Sequence, residues 1–167
     1  HGAVIGTLIG LYLYKRKFTH KPLLWLLDRV TVPIAIGASF VRFGNLLNSE
    51  IVGKYTNTNF GVVFLNRGES LPRHPAQLYE AIGYIVLFFI LKQTYKSEYK
   101  SKPGFMLGLF FTGMFVIRFL VEYLKESQGG FEDLIPLFST GQWLSIPFIT
   151  LGGFLMLRSS KKTQNEV

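Results

Sequence analysis

The 167-residue sequence contains no cysteine and only three histidines. Without cysteine, the chain has no disulfide framework, no thiolate zinc site and no cysteine nucleophile. We therefore expect no metal and no cofactor, and any thiol chemistry would use a cysteine of a partner.

Acidic residues are also scarce, with ten Asp and Glu against eighteen Lys and Arg and a formal net charge of +8. A nucleic-acid-binding protein would gather its basic residues on one exposed face. Here 49% of the residues are hydrophobic, and the basic residues cluster between apolar runs, at 15–21, 92–102 and 158–162. This alternation is typical of membrane spans and loops, and it argues against a nucleic-acid partner.

Five apolar stretches predict the fold class, an all-α polytopic transmembrane helix bundle in a single membrane domain over residues 1–167. A span needs about 20 residues, so we expect about five spans, the first of them incomplete. The chain begins at His1 rather than Met, which we interpret as a truncated or processed start. The stretches are Gly2 to Tyr14, Leu23 to Val41, Ala76 to Leu91, Gly104 to Leu124 and Gln142 to Leu157.

The positive-inside rule orients this bundle. It places all three basic clusters on the cytoplasmic side, including a basic tail at 158–167. Residues 42–75 and 125–136 then form extracytoplasmic loops. The β-forming residues Asn59 to Leu65, followed by the turn signal at 66–68, predict a small irregular or β patch in the longer loop.

Polar residues converge at the extracytoplasmic ends of four predicted helices. Arg118 lies within the fourth apolar stretch, and Glu122 shares its helix face, so the two either form a structural ion pair or serve a function. Two arginines with amide donors suit the phosphate of a lipid headgroup, which predicts a polar cavity open to the outer leaflet. The other converging residues are Arg42, Asn45, Asn48, Glu50, Arg73, His74, Gln77, Tyr79, Glu80 and Gln142.

Several of these residues also have simpler interpretations. His74 precedes Pro75 and is as well explained by a helix start as by catalysis. Tyr79 is a plausible interfacial anchor. Gly53 and Gly141 are equally well explained by turns or close packing.

The segment from Arg42 to Gly53 has the pattern Arg-x-Gly-Asn-x-x-Asn-x-Glu-x-x-Gly and resembles the signature of prolipoprotein diacylglyceryl transferases. The resemblance spans the whole chain, and Lys125 stands where that family typically has Arg. Further motifs follow the family's order: His1-Gly2, Arg73 to Glu80, Arg118-Phe119 with Glu122, and Ser139 to Pro147.

The resemblance implies transfer of a diacylglyceryl group from phosphatidylglycerol to the lipobox cysteine of a prolipoprotein signal peptide. The products are a thioether and glycerol phosphate, in the first step of bacterial lipoprotein maturation. The enzyme would be a multi-pass protein of the bacterial inner or plasma membrane, with its site towards the extracytoplasmic face and membrane lipid around it.

The resemblance also implies roles for individual residues. Arg42 and Arg118 would hold the phosphate, Glu122 would orient an arginine, and His1 would be the thiol base, unless it is only a truncated helix end. Because the family's N-terminal helices and outer-face domain are absent, we expect this chain to be inactive alone. The expected substrate-binding residues are Arg42, Asn45, Asn48, Glu50, Gly53, His74, Gln77, Tyr79, Glu80 and Gln142.

Two other classes of protein remain open from the sequence. A transporter or channel bundle with an outward-facing anion site would explain charged residues in spans, but it predicts polar residues at mid-membrane and towards both faces. A structural membrane subunit would use Arg118 and Glu122 for assembly, and it leaves the polar ends of the other helices unexplained.

Overall fold

The structure is a computed structural model that describes residues 2–126 and 138–164. Within these ranges it is helical and contains no extended strand, so the predicted all-α class is confirmed. Two short 3-10 turns, Leu65–Arg67 and Glu98–Ser101, lie between helices. The helices are α1 (Gly2–Phe18), α2 (Leu23–Leu47), α3 (Ala76–Tyr95), α4 (Phe105–Glu122) and α5 (Thr140–Gln164).

Three of these helices, α2, α4 and α5, are long and apolar enough to cross a membrane. With 25 residues, α2 extends about 37 Å, more than the thickness of a hydrocarbon core. The helical membrane bundle is therefore confirmed. That α1, with 17 residues, and α3 also span the membrane stays a prediction.

The centre of the bundle is an apolar cluster of α2, α3 and α4. Ala35, Leu87, Leu91, Met106 and Phe110 are buried there. The side chains of α1, in contrast, are mostly exposed, as on Val4 and Ile9. The packed unit that positions the other residues is therefore α2 to α5.

Glycines allow α4 and α5 to approach closely. A Cβ built on Gly108 would lie 2.6 Å from the carbonyl oxygen of Gly152, and one built on Gly152 would lie 2.7 Å from the carbonyl oxygen of Gly108. Backbone cannot move aside as a flexible side chain can. The close approach of the two helices therefore requires glycine at both positions.

We expect Gly108→Ala to lower the free energy of unfolding by about 1–3 kcal/mol, because the added methyl group forces α4 and α5 apart. The measurement is denaturant unfolding of the full-length protein in detergent. Gly37→Ala on α2 is the matched control, since a Cβ there meets nothing within 4 Å. If both variants have the same free energy of unfolding, the close approach of α4 and α5 does not contribute to stability.

One end of the bundle carries the basic residues. The buried Asp28 carboxylate of α2 accepts hydrogen bonds from the backbone N–H groups of Gly104 (2.7 Å) and Leu107 (2.9 Å), so it caps α4. Gly104, at the start of α4, also lies beside α5, since a Cβ built on it would be 3.8 Å from the Leu155 side chain. The basic clusters of 15–21, 92–102 and Arg158 thus lie at one end, as predicted. We call it the basic end, and its cytoplasmic orientation stays a prediction.

The predicted loop 42–75 begins later than expected, because α2 continues to Leu47. In place of extended strands, this loop has three isolated bridges, Gly53–Lys125, Tyr55–Arg73 and Val62–Arg73. Positive φ angles at 49, 51, 57 and 61 interrupt the extended backbone that a ladder needs. The turn signal at 66–68 corresponds to a 3-10 turn with left-handed Gly68. Helix α5 continues to Gln164, and the cytoplasmic position of the basic tail 158–167 stays a prediction.

Candidate active site

A buried carboxylate connects three helices at the end opposite the basic end. Glu80 of α3 has no exposed surface. Its Oε2 lies 2.6 Å from Nε of Arg42 on α2, and its Oε1 lies 2.8 Å from Nζ of Lys125, just after α4. Lys125 also lies 3.2 Å from Oε2 of Glu122. Arg42, Glu80, Lys125 and Glu122 therefore form a chain of alternating charges, which we call the ion-pair chain.

The last turn of α2 adds a second group of contacts. Arg42 Nη1 donates to Asn45 Oδ1 at 3.3 Å, and Asn45 Nδ2 donates to Glu50 Oε2 at 2.9 Å. Gln77 of α3 donates to the carbonyl oxygen of Glu50 at 2.5 Å. Glu50 thus orients Asn45, while the carboxylate in direct contact with Arg42 is Glu80. Asn48 is exposed at the C-cap of α2.

Arg118 of α4 and Arg42 of α2 lie towards the same end of the bundle, each within the last turns of its helix. Both arginines are near enough to the Tyr84 hydroxyl of α3 to act on it electrostatically. The structural ion pair with Glu122, one of the two alternatives that the sequence left open, does not form in the described part of the chain, since Glu122 contacts Lys125 instead. Within residues 2–126 and 138–164, the buried Nε of Arg118 has no hydrogen-bond partner. This arginine can therefore donate hydrogen bonds to a ligand.

The start of α5 fixes the position of Glu122. Gln142 accepts a hydrogen bond from the Ser139 N–H at 3.0 Å, and Ser139 Oγ accepts one from the Gln142 N–H at 3.3 Å. This is a capping box with the spacing Ser-x-x-Gln. Gln142 Nε2 also donates to the Phe119 carbonyl at 3.3 Å, so the amide of Gln142 has protein partners. Gly141 contacts the Glu122 carboxylate where a side chain would otherwise stand.

The segment before α3 pairs with the loop after α2. Gly53 N–H donates to the His74 carbonyl at 3.1 Å, and a Cβ on Gly53 would collide with that oxygen. The close-packing interpretation of Gly53 is therefore confirmed. His74 Nδ1 lies 3.3 Å from the Tyr79 hydroxyl, and Pro75 is the N-cap of α3. His1, the predicted base, lies outside the described residues.

The sequence matches the family model described as prolipoprotein diacylglyceryl transferase over residues 1–158. This chain belongs to that family. Similar curated proteins are named phosphatidylglycerol–prolipoprotein diacylglyceryl transferase. One from Tolumonas auensis is 44% identical over 97% of this chain and 62% of its own length. Another from Chloroherpeton thalassium is 42% identical over 99% of this chain and 62% of its own length. One from Bacteroides fragilis is 45% identical over 97% and 58% respectively.

The chain thus spans about 60% of the length of these relatives. Residues from four separate motifs of this diacylglyceryl transferase family lie at the same end of the bundle. They are Arg42 with Asn45, Gln77 with Glu80, Arg118 with Glu122, and Gln142. The site roles of these residues stay predictions. Their proximity makes them one candidate site.

Sequence reasoning assigned no catalytic or substrate-binding role to two residues of this transferase-family chain. Arg73 is 4% exposed, forms a two-bond fork with Glu69 at 2.6 and 3.0 Å, and donates to the Gly53 carbonyl at 3.0 Å. Lys125 is 6% exposed and contacts two carboxylates. Two features of the sequence could have pointed to these residues. Glu69 lies four residues before Arg73, and position 125 keeps a basic residue, Lys, where the family usually has Arg.

The Glu69–Arg73 fork gives the loop a pH dependence. Hydrogen bonds from Arg73, and a weaker contribution from Arg67, hold the pKa of the Glu69 carboxyl below its ordinary value of 4.5. A lowered folded-state pKa means that this stabilisation is complete above pH 4.5 and is lost as the pH falls through the folded-state pKa. The loop should therefore loosen in acid.

We expect hydrogen exchange of residues 53–75, corrected for intrinsic rates, to accelerate as the pH falls below 4.5. Glu69→Gln should exchange faster at neutral pH and lose most of this acid dependence. Glu98→Gln is the matched control, because Glu98 is exposed at the other end of the bundle. If the acid response is unchanged in Glu69→Gln, that response arises from other carboxylates.

Proposed function

We propose that this chain is part of an enzyme that transfers the diacylglyceryl group of phosphatidylglycerol to the lipobox cysteine of a prolipoprotein signal peptide. The observation that carries the proposal is that two arginines, Arg42 and Arg118, lie at the same end of a membrane bundle and both act electrostatically on the Tyr84 hydroxyl. The buried Nε of Arg118 has no hydrogen-bond partner among the described residues. Guanidinium groups bind phosphodiester oxygens through directed, charge-assisted hydrogen bonds.

The chemistry requires two contributions from the protein. The thiolate of the lipobox cysteine attacks a glycerol carbon of the lipid, so that a carbon–sulfur bond forms while the carbon–oxygen bond to phosphate breaks. Negative charge grows on the departing glycerol phosphate, and Arg42 and Arg118 stabilise it. A base must also take the thiol proton, and His1 is assigned that role by its motif.

The remaining polar residues position these groups. Glu80 of α3 holds Arg42, as does Asn45 of α2, and Glu50 accepts a hydrogen bond from Asn45. His74 and Tyr79 form the adjacent wall, and their contact with substrate is part of the proposal. We place the site at the extracytoplasmic face of a bacterial inner or plasma membrane, with the 42–75 loop outside and the basic tail inside. The restriction of the polar cluster to one end favours an enzyme over a transporter.

The test uses the full-length protein in membrane vesicles containing phosphatidylglycerol with a labelled diacylglyceryl moiety. We expect label to appear on a lipobox peptide as glycerol phosphate is released. The control peptide carries serine in place of the lipobox cysteine and should stay unlabelled, because the thiol is the nucleophile. Anion flux across the vesicles without labelling of the peptide would contradict the proposed enzyme activity and support a transporter.

A further inference from the structure

A cavity at the basic end lies between α2 and α3. It has a volume of about 250 Å³ and is lined by Arg29, Val32, Lys92 and Tyr95. Lys92 lies twelve residues after Glu80 on α3, which is about 18 Å along the helix axis. This basic-end cavity is therefore separate from the candidate active site.

The two cations that line the cavity come from different helices. The guanidinium carbon of Arg29 lies 3.1 Å from the centre of the Trp25 ring, and Arg29 Nη1 donates to the Trp25 carbonyl at 2.9 Å. Lys92 is exposed on the last turn of α3. No ion pair of either residue occurs within the described ranges 2–126 and 138–164.

The nearest acidic residue, Asp28, does not occupy the cavity. Both of its carboxylate oxygens accept backbone hydrogen bonds from the first turn of α4. Asp28 attracts Arg29 electrostatically, but its position is fixed on the α4 side. The cavity thus keeps a positive charge that an anion can neutralise.

Apolar surface continues from the cavity along the bundle. Phe89, three residues before Lys92 and on the same side of α3, is 58% exposed. Val32 of α2 lines the cavity itself. The combination of two cations near the helix ends with apolar surface towards the bundle centre matches the two parts of an anionic phospholipid.

We propose that the basic-end cavity binds the headgroup of an anionic phospholipid from the leaflet at that end, with Arg29 and Lys92 on its phosphate. Its acyl chains lie along the exposed apolar side chains of α2 and α3. The proposal does not depend on the transferase reaction, because it uses no residue of the candidate active site.

The test reads out this cavity alone. Tyr95 of the full-length protein is replaced by the photoreactive benzoylphenylalanine, and the protein is placed in nanodiscs of phosphatidylglycerol and phosphatidylcholine. After irradiation, mass spectrometry of the peptide containing position 95 identifies the attached lipid. We expect phosphatidylglycerol to be enriched about tenfold over its mole ratio in the disc, as two nearby basic residues would produce.

Substitutions then assign the enrichment to the two cations. The double variant Arg29→Gln, Lys92→Gln should lose it, whereas Arg29→Lys should retain most of it. Lys96→Gln with Lys100→Gln, two basic residues outside the cavity lining, is the matched control and should leave it unchanged. Because the unsubstituted protein is informative by itself, the proposal is testable even if a variant folds poorly.

Three outcomes would overturn the proposal. One is cross-linking of the two lipids in proportion to their mole ratio. Another is an equal loss of enrichment in the control variant, which would indicate a general surface charge effect. The third is loss of the enrichment when inorganic phosphate is added at constant ionic strength, which would indicate a site for free phosphate.

Discussion

Replacing Glu80 with alanine should lower the free energy of unfolding by about 3–5 kcal/mol, the cost of breaking a buried ion pair by removing one partner. Glu80 is fully buried and contacts Arg42 at 2.6 Å and Lys125 at 2.8 Å. Without it, both cations remain largely buried with less compensation. The loss should exceed that of any single exposed charge.

The measurement is unfolding of the full-length protein in mixed detergent micelles, followed by circular dichroism. Glu98→Ala is the matched control: Glu98 is 76% exposed and lies 3.8 Å from Lys102. Removal of such a surface pair changes stability by about 0–1 kcal/mol. Equal stability of the two variants would show that the ion-pair chain does not stabilise the fold.

The sequence predicted the helices well because their apolar stretches are long and are separated by charge. It also predicted which helix ends carry the polar residues, since consecutive membrane-spanning helices alternate in direction. The structure shows some of these residues in contact, such as Arg42 with Glu80 and with Asn45. Depth along a helix can be counted from the sequence, and this made the convergence of Arg42, Glu80 and Arg118 predictable.

The pairing of the charges could not be predicted in the same way. Arg118 and Glu122 have the spacing of an ion pair on one helix, yet Glu122 contacts Lys125. That choice depends on the rotation of α3, which brings Glu80 to Lys125, and on Gly141, which leaves room for the Glu122 carboxylate. Such contacts between helices depend on three-dimensional packing, about which local spacing carries no information.

The loop between α2 and α3 was the least predictable part. Its β-forming residues predicted an irregular or β patch, and the backbone there forms isolated bridges, with positive φ angles at Asn57 and Gly61 between them. The loop is organised instead by Arg73, through Glu69 and the Gly53 carbonyl. One buried arginine outweighs local β propensity there.

Replacing Arg118 with alanine should reduce diacylglyceryl transfer by about 10²–10³-fold, the usual effect of removing one donor to a developing negative charge. The prediction follows from the unpartnered Nε of Arg118 and from its position at the same end of the bundle as Arg42. Arg118 has no ion pair with Glu122, so stability should change much less than in Glu80→Ala. Transfer is measured with labelled phosphatidylglycerol and a lipobox peptide.

Arg118→Lys separates charge from geometry at this position. Lysine retains the positive charge but lacks the planar fork of arginine, so we expect a rate between those of the alanine variant and the unsubstituted protein. If Arg118 acts on the departing phosphate, both variants should lower kcat more than they raise KM for the lipid. Arg158→Ala, an exposed arginine at the basic end, is the matched control and should transfer normally. Full activity of a folded Arg118→Ala variant would remove Arg118 from the proposed site and leave Arg42 as its phosphate-binding arginine.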